Sequence, residues 1–338
     1  MTIDAPALGA DAAAKLGTVA RLMRFARRNP TLVGMPLLLL AALEVTVIIH
    51  PSFGSFDLQS LALAGLPLAL AACGQAAVVI SGGIDLSVGS MISVANVLSG
   101  RLMFHETFGA ALLWSALIIA LGAMQGLING LLVRFSRIPD VVVTLTMGFI
   151  WGGIALLIME RPGGGAPADF LNLAAGTFYS DWIPNAFIFL AIAVAAIWVP
   201  VARSRLGLLI YATGSDRVAA FRSGVDTEFA RLMAYVISGV FCALAGIGLT
   251  MTTGIGAPLA GSLYTLSGLA AIVIGGVSLT GGKGGMVGPV MAAFLLSLIP
   301  TDLIFLNIDP NYGQVIQGTL IVLVVMAGGF AAALEAGN

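Results

Sequence analysis

Between two apolar runs, residues 81–90 read SGGIDLSVGS: three glycines, three serines and one carboxylate, Asp85. A carboxylate set in such surroundings has two uses. Inside a bilayer it costs about 2.5–3.5 kcal/mol on the insertion scale unless it is paired or solvated, so a place on a solute pathway is the first reading. The second is a cap, with a carboxylate oxygen accepting backbone N–H bonds from around Ser87 and Val88 to start the next helix. The two are compatible. Ser87, Ser90, Ser93 and Asn96 follow at three-residue steps, and such a polar stripe either hydrogen-bonds a neighbouring helix or lines an aqueous path. Gln125 with Asn129, and Gln314 with Gln317, are similar polar pairs, while Glu44 stands alone in the first apolar run as a buried acid facing a partner helix.

Other chemistries lack their residues. Cys73 and Cys242 lie inside apolar runs without metal-ligand or disulfide spacing, and His50 and His105 sit singly at the ends of such runs. In GGVSLTGGKGG, Val277 stands where a phosphate loop needs its first glycine, and Gly284 follows Lys283 in place of Ser or Thr. HExxH, CxxC and GxSxG are missing as well. These absences lead us to expect no enzyme, no bound metal, no cofactor on this chain and no nucleic-acid partner.

The elements that must position these residues are helices in a membrane. The chain is 59% hydrophobic and 9% charged with 43 glycines in 338 residues, and its mean hydropathy is +1.05, far from the roughly quarter-charged composition of soluble domains. At about 20 apolar residues per crossing, about ten spans are predicted: 31–49, 58–80, 86–104, 108–133, 138–159, 183–202, 232–251, 266–280, 287–306 and 313–334. The expected fold is an all-α integral membrane protein with an N-terminal arm (1–30) and a single membrane domain (31–338). Lys and Arg gather in 15–28, at Arg134 and Arg137, and from Arg203 to Arg231. The positive-inside rule puts these stretches and both termini in the cytoplasm, with the arm lying on the inner leaflet and the 160–182 loop on the other side.

Two local patterns are superimposed on the spans. GGIDLSVG, from Gly82, recurs in weaker form as GGVSLTGG, from Gly275, which points to an internal duplication and to helices broken by glycine. The span count places both motifs on the cytoplasmic side. The second pattern is the basic stretch 203–231, where Ser215 or Asp216 can cap a short helix that Gly224 stops. Val218, Ala219, Ala220 and Phe221 are expected to pack down while Arg217 and Arg222 stay in water. Such a projecting turn is suited to docking a partner; a solvated, membrane-hugging loop is the alternative.

Four motifs together resemble a known family, the permease subunits of bacterial ATP-binding-cassette importers for monosaccharides of the ribose, xylose and galactose type. They are GGIDLSVGS from Gly82; NGLLVRFSRIPDVVVTL, with Asn129, Gly130, Pro139, Thr144 and Leu145; TGSDRVAAFRSGV, followed by SGVFCALAGI; and LAAIVIGGVSLTGGKGG. The likeness covers about residues 60–290. The chain departs from the pattern at Val141, at Asp216, and at Thr265 and Leu266, which puts the particular sugar in doubt. The resemblance implies a second permease subunit, identical or related, and a periplasmic sugar-binding protein. It also implies a pair of cytoplasmic ATPases, carrying ATP-Mg themselves, docked on Gly214, Ser215, Asp216, Arg217, Ala220, Arg222, Ser223 and Gly224. Asp85, Ser87, Ser90, Ser93, Asn96, Asn129, Thr144 and Ser278 would line or support the route through the bacterial inner membrane. The rival from the residues alone is a secondary transporter using Asp85 as a proton or sodium site, for which no second carboxylate is evident.

Overall fold

The computed structural model describes residues 30–320, 322, 323 and 326. The basic arm over 1–30 lies outside them except for residue 30. Helices in chain order are α1 (Pro30–Ile49), α2 (Ser55–Ile80), α3 (Val88–Leu102), α4 (Phe108–Ser136), α5 (Asp140–Ile158), α6 (Ala168–Ala175), α7 (Asn185–Ala202), α8 (Arg205–Ser215), α9 (Arg217–Arg222), α10 (Thr227–Thr253), α11 (Leu263–Ile274) and α12 (Val287–Phe305). A last helix enters at 312 and continues to the end of the continuously described chain at 320. Among the described residues there is no β-strand, only two isolated bridges.

Six of these helices are long and apolar enough to cross a membrane: α2, α4, α5, α7, α10 and α12. The expectation of about ten spans is therefore not met among the described residues. Span 86–104 contracts to the 15 residues of α3, and 266–280 to the 12 of α11. At 1.5 Å per residue these reach about 22 and 18 Å, short of a hydrocarbon core of about 30 Å. Span 313–334 runs out of the described residues.

Burial sets the layout. The apolar windows of α2 and α10 are 89% and 72% buried within the chain, against 28% for α5 and 22% for α7. α2 and α10 form the centre, where α10 packs on α2, α3 and α4, and α2 on α11 and α12. Glycines bring α4 and α10 together. A Cβ on Gly122 or Gly126 would run into the carbonyl of Gly239 or Tyr235 respectively, so the spacing Gly122, Gly126, Gly130 gives α4 a flat face for α10. Polar caps start four helices: Thr107 accepts from Ala110 N at α4, Ser204 from Leu206 N at α8, Asp216 from Val218 N and Ala219 N at α9 and Asp226 from Phe229 N at α10.

Both glycine motifs end their helices in the same way. Gly82 N and Gly83 N donate to Val79 O (2.9 Å) and Val78 O (3.0 Å); Gly276 N and Val277 N donate to Val273 O (3.0 Å) and Ile272 O (2.9 Å). The glycine φ values are +82° and +80°, the left-handed conformation that lets a helix stop with its last carbonyls satisfied. The short helices beside these stops then touch: Gly89 N of α3 donates to Thr265 Oγ1 of α11 at 3.1 Å.

Candidate functional site

Asp85 sits in the gap between α2 and α3, 1% exposed. Its Oδ1 accepts from Ser87 N (3.0 Å) and Ser87 Oγ (2.6 Å), and its Oδ2 from Ser238 Oγ on α10 (3.2 Å). The bond to Ser87 N is only part of the expected cap: Val88 N, the first N–H of α3, is not engaged, and α3 starts without a side-chain cap. The network extends outward from Ser87, whose Oγ accepts from Asn129 Nδ2 of α4 (2.7 Å), while Asn129 Oδ1 accepts from Trp151 Nε1 of α5 (3.1 Å). Three helices, α4, α5 and α10, are thereby tied to the seven-residue connection 81–87.

The second motif clamps the first. Thr144 Oγ1 accepts from Leu86 N (3.1 Å) and lies 3.2 Å from Ile84 O and 2.9 Å from Asp140 O, either of which it can donate to. Tyr235 OH reaches Ile84 O at 3.3 Å and Asp140 Oδ2 at 3.2 Å, and Arg231 forms an ion pair with Asp140. Gln75 of α2 donates to Thr265 O (2.9 Å) and lies 3.5 Å from the Asp85 carbonyl.

The α3 polar residues do not stay together. Three-residue steps turn a helix about 60° short of a full circle each time, so successive members meet different neighbours. Ser87 joins Asn129; Ser93 Oγ accepts from Gly261 N at 3.2 Å. Asn96 Nδ2 donates to Thr250 Oγ1 (2.8 Å) and Ile255 O (3.2 Å), and its Oδ1 accepts from Ala257 N (2.7 Å). Ser90 is half-buried and packs toward α5, where a Cβ added at Gly148 or Gly152 would lie 3.8 or 3.6 Å from its Oγ. Asp85, Ser87 and Asn129 thus form one cluster with Thr144 at its edge, while Ser93 and Asn96 pin α3 to the 250–261 segment.

Ser278 belongs to neither group. It sits in the second glycine motif with its Oγ 2.7 Å from Thr280 Oγ1. Glu44, expected to be buried, is exposed in the chain. Of the glutamine pairs, Gln125 is buried, and Gln317 donates to Leu296 O at 3.2 Å.

Asp216, not Ser215, caps α9: its Oδ1 accepts from Val218 N and Ala219 N, both at 2.9 Å. Gly224 stops the helix at φ +84°. The expected inward packing of Val218, Ala219 and Phe221 is wrong. Val218 is 60% and Phe221 71% exposed, and only Ala220 of that set is buried. A helix of six residues turns one narrow face inward, and Ala220 alone fills it. Exposed Phe221 and Val218 beside Arg217 and Arg222 make an apolar knob with a basic rim.

Both glycine motifs meet the base of this knob. Gly282 N donates to Ile80 O (2.9 Å), and a Cβ on Gly214 would come inside contact distance of Ile80 O and lie 2.6 Å from Gly282 N. Tyr211 OH of α8 donates to Gly284 O at 2.8 Å, and partial burial raises its pKa, so it stays a donor across the physiological range. The two glycine breaks and the start of the 214–224 segment are one packed junction.

Gln75, Trp151, Arg231, Tyr235, Ser238 and Thr250 are participants that motif reading passed over, while Asp140, inside the second motif, and Thr265, noted as a departure, were given no role there. Arg231, Tyr235 and Ser238 fall at i, i+4 and i+7 on α10, a polar stripe in a span that carried the signal.

Comparison with known proteins gives the family. Residues 58–325 match the profile described as branched-chain amino acid transport system / permease component. The D-allose transport system permease protein of Escherichia coli K12 is 34% identical over 75% of this chain and 77% of its own length. The fructose import permease protein of Rhizobium meliloti is 30% identical over 90% and 87%, and the galactose/methyl galactoside import permease protein of E. coli K12 is 30% identical over 86% and 92%. No solved structure matches the chain. The chain belongs to the branched-chain amino acid transport system / permease component family, among relatives that are sugar-import permeases.

Proposed function

We propose that this chain is the membrane-spanning permease subunit of an ATP-binding-cassette importer that carries a monosaccharide, or a similar small polar solute, across the bacterial inner membrane. The observation that carries the reading is similarity, over three quarters or more of the chain, to permeases named for D-allose, fructose and galactose. The solute is assigned from these relatives, not from the amino acids in the family's description.

ATP hydrolysis falls to a separate pair of cytoplasmic ATPases bearing ATP-Mg, a second permease subunit completes the route, and a periplasmic binding protein supplies the sugar. The exposed Phe221 and Val218 on α9 support docking at Gly214–Gly224, since apolar side chains held out in water favour a covering partner. With this segment and both glycine breaks in the cytoplasm, both termini are cytoplasmic. The shared cap of the two breaks supports a chain duplicated around them.

Asp85, Ser87, Asn129 and Thr144 support the route by fixing the connection between α2 and α3, and Ser93 and Asn96 by fixing the other end of α3. Ser90, the half-buried member of the stripe on the α5 side of α3, is the one that lines it. Ser278 acts through the glycine junction. A proton- or sodium-coupled mechanism at Asp85 is not favoured, because both carboxylate oxygens are already occupied by protein donors. The test is uptake of labelled sugar into vesicles holding the chain, its ATPase and its binding protein. ATP-dependent uptake that survives a protonophore supports the reading; uptake by the chain alone, driven by a proton or sodium gradient, would overturn it.

A further inference from the structure

A second polar site lies where α4 turns into α5. Arg134, Arg137, Arg217 and Arg231 converge with Asp140 and Glu228 on one cavity of about 530 Å³. The carboxylates are already taken, Asp140 by Arg231 and Glu228 by Arg217. Among the described residues Arg134 and Arg137 make no ion pair, so the cavity holds two uncompensated guanidiniums. Both α4 and α5 are membrane-length, which puts the turn between them, and the cavity with it, at the level of lipid headgroups. Ile138 lines it, and at the adjoining ends of α4 and α5 Phe135 (72% exposed), with the Arg134 guanidinium 5.6 Å over its ring, and Val142 are further exposed apolar side chains.

We propose that this cavity binds the headgroup of an anionic glycerophospholipid. Guanidinium meets a phosphate through paired N–H donors, and a basic pocket between membrane helices is suited to such headgroups. The apolar flank gives the acyl chains a surface to follow, which free phosphate would not need. Arg217 is the first residue of α9, so a bound lipid would rest against the base of the projecting segment. The inference depends on the position of the turn and not on the transport reading.

The experiment is binding of a fluorescent phosphatidylglycerol to the purified full-length chain in vesicles of neutral phosphatidylcholine. It compares R134Q/R137Q with R203Q/R205Q, which removes the same charge outside the cavity. Each arginine near an anionic headgroup is worth about fivefold in affinity, so R134Q/R137Q should bind about thirtyfold more weakly and the control like the unaltered chain. Unlabelled phosphatidylglycerol should compete, and inorganic phosphate should not. Equal binding by R134Q/R137Q would overturn the proposal, as would an equal loss in both variants, which is bulk charge. Competition by inorganic phosphate would make it a free-anion site, and R134Q/R137Q that keeps lipid but loses a co-purifying protein would make it a protein contact; either overturns it.

Discussion

Replacing Asp85 by Ala and by Asn separates a cap from a working charge. In the native arrangement Asp85 accepts from Ser87 N, Ser87 Oγ and Ser238 Oγ. Alanine leaves the Ser87 N–H without a partner in a residue that is 0% exposed, and it removes the acceptor of two hydroxyls that can turn only partly to other carbonyls. At about 1–3 kcal/mol for each buried donor left unsatisfied, Asp85→Ala should cost about 2–5 kcal/mol. In Asp85→Asn the amide oxygen can still accept from Ser87, and the new NH2 can donate to Ser238 Oγ, which changes role from donor to acceptor. Nothing is orphaned, and the loss is about 1 kcal/mol for exchanging charge-assisted bonds for neutral ones. The assay is the surviving monodisperse fraction after heating in detergent, paired with sugar uptake per inserted molecule. Uptake should follow stability, with Asn near the unaltered chain and Ala far below it. An Asn variant as stable as the parent yet unable to transport would refute the reasoning and return the carboxylate charge to the mechanism.

Other perturbations follow from the same contacts. Gly214→Ala places a methyl against Ile80 O and Gly282 N and should abolish a correctly assembled protein, measured as loss of the monodisperse peak; an unaffected peak would dissolve the glycine junction. Phe221→Ala, at a side chain 71% exposed, should change thermal stability by less than about 0.5 kcal/mol while weakening ATPase association, read by co-purification. Asn96→Ala and Thr250→Ala should couple in a double-mutant cycle by about 0.5–3 kcal/mol, because Asn96 Nδ2 donates to Thr250 Oγ1 at 2.8 Å; strict additivity of their unfolding free energies would contradict that bond.

Much of this was legible in the sequence because it is local. Apolar runs, glycine stops and the Asp216 cap depend on residues a few positions apart, and each appears where its pattern stood. Span counting failed where glycine shortens a helix: composition counts residues 103, 104 and 275–280 as apolar span, but the backbone has already turned by then. Phe221 shows another limit. Hydrophobicity predicted burial, yet a helix of six residues has room underneath only for Ala220. The clamp of Asp140, Arg231 and Tyr235 was hidden for a third reason, since its members come from helices separated by 91 and 95 positions in sequence, and no spacing rule joins them.

The central claim is that a separate ATPase drives this permease through the 214–224 segment. The direct measurement is purification of the tagged chain from its own membranes in mild detergent, with mass spectrometry of what accompanies it, for the native sequence and for one with 217–222 scrambled. The account predicts a stoichiometric ATPase with its own phosphate-binding loop, present with the native chain and lost with the scrambled one while the permease itself stays monodisperse. A clean oligomer without an ATPase, or an ATPase indifferent to the scrambling, would contradict it.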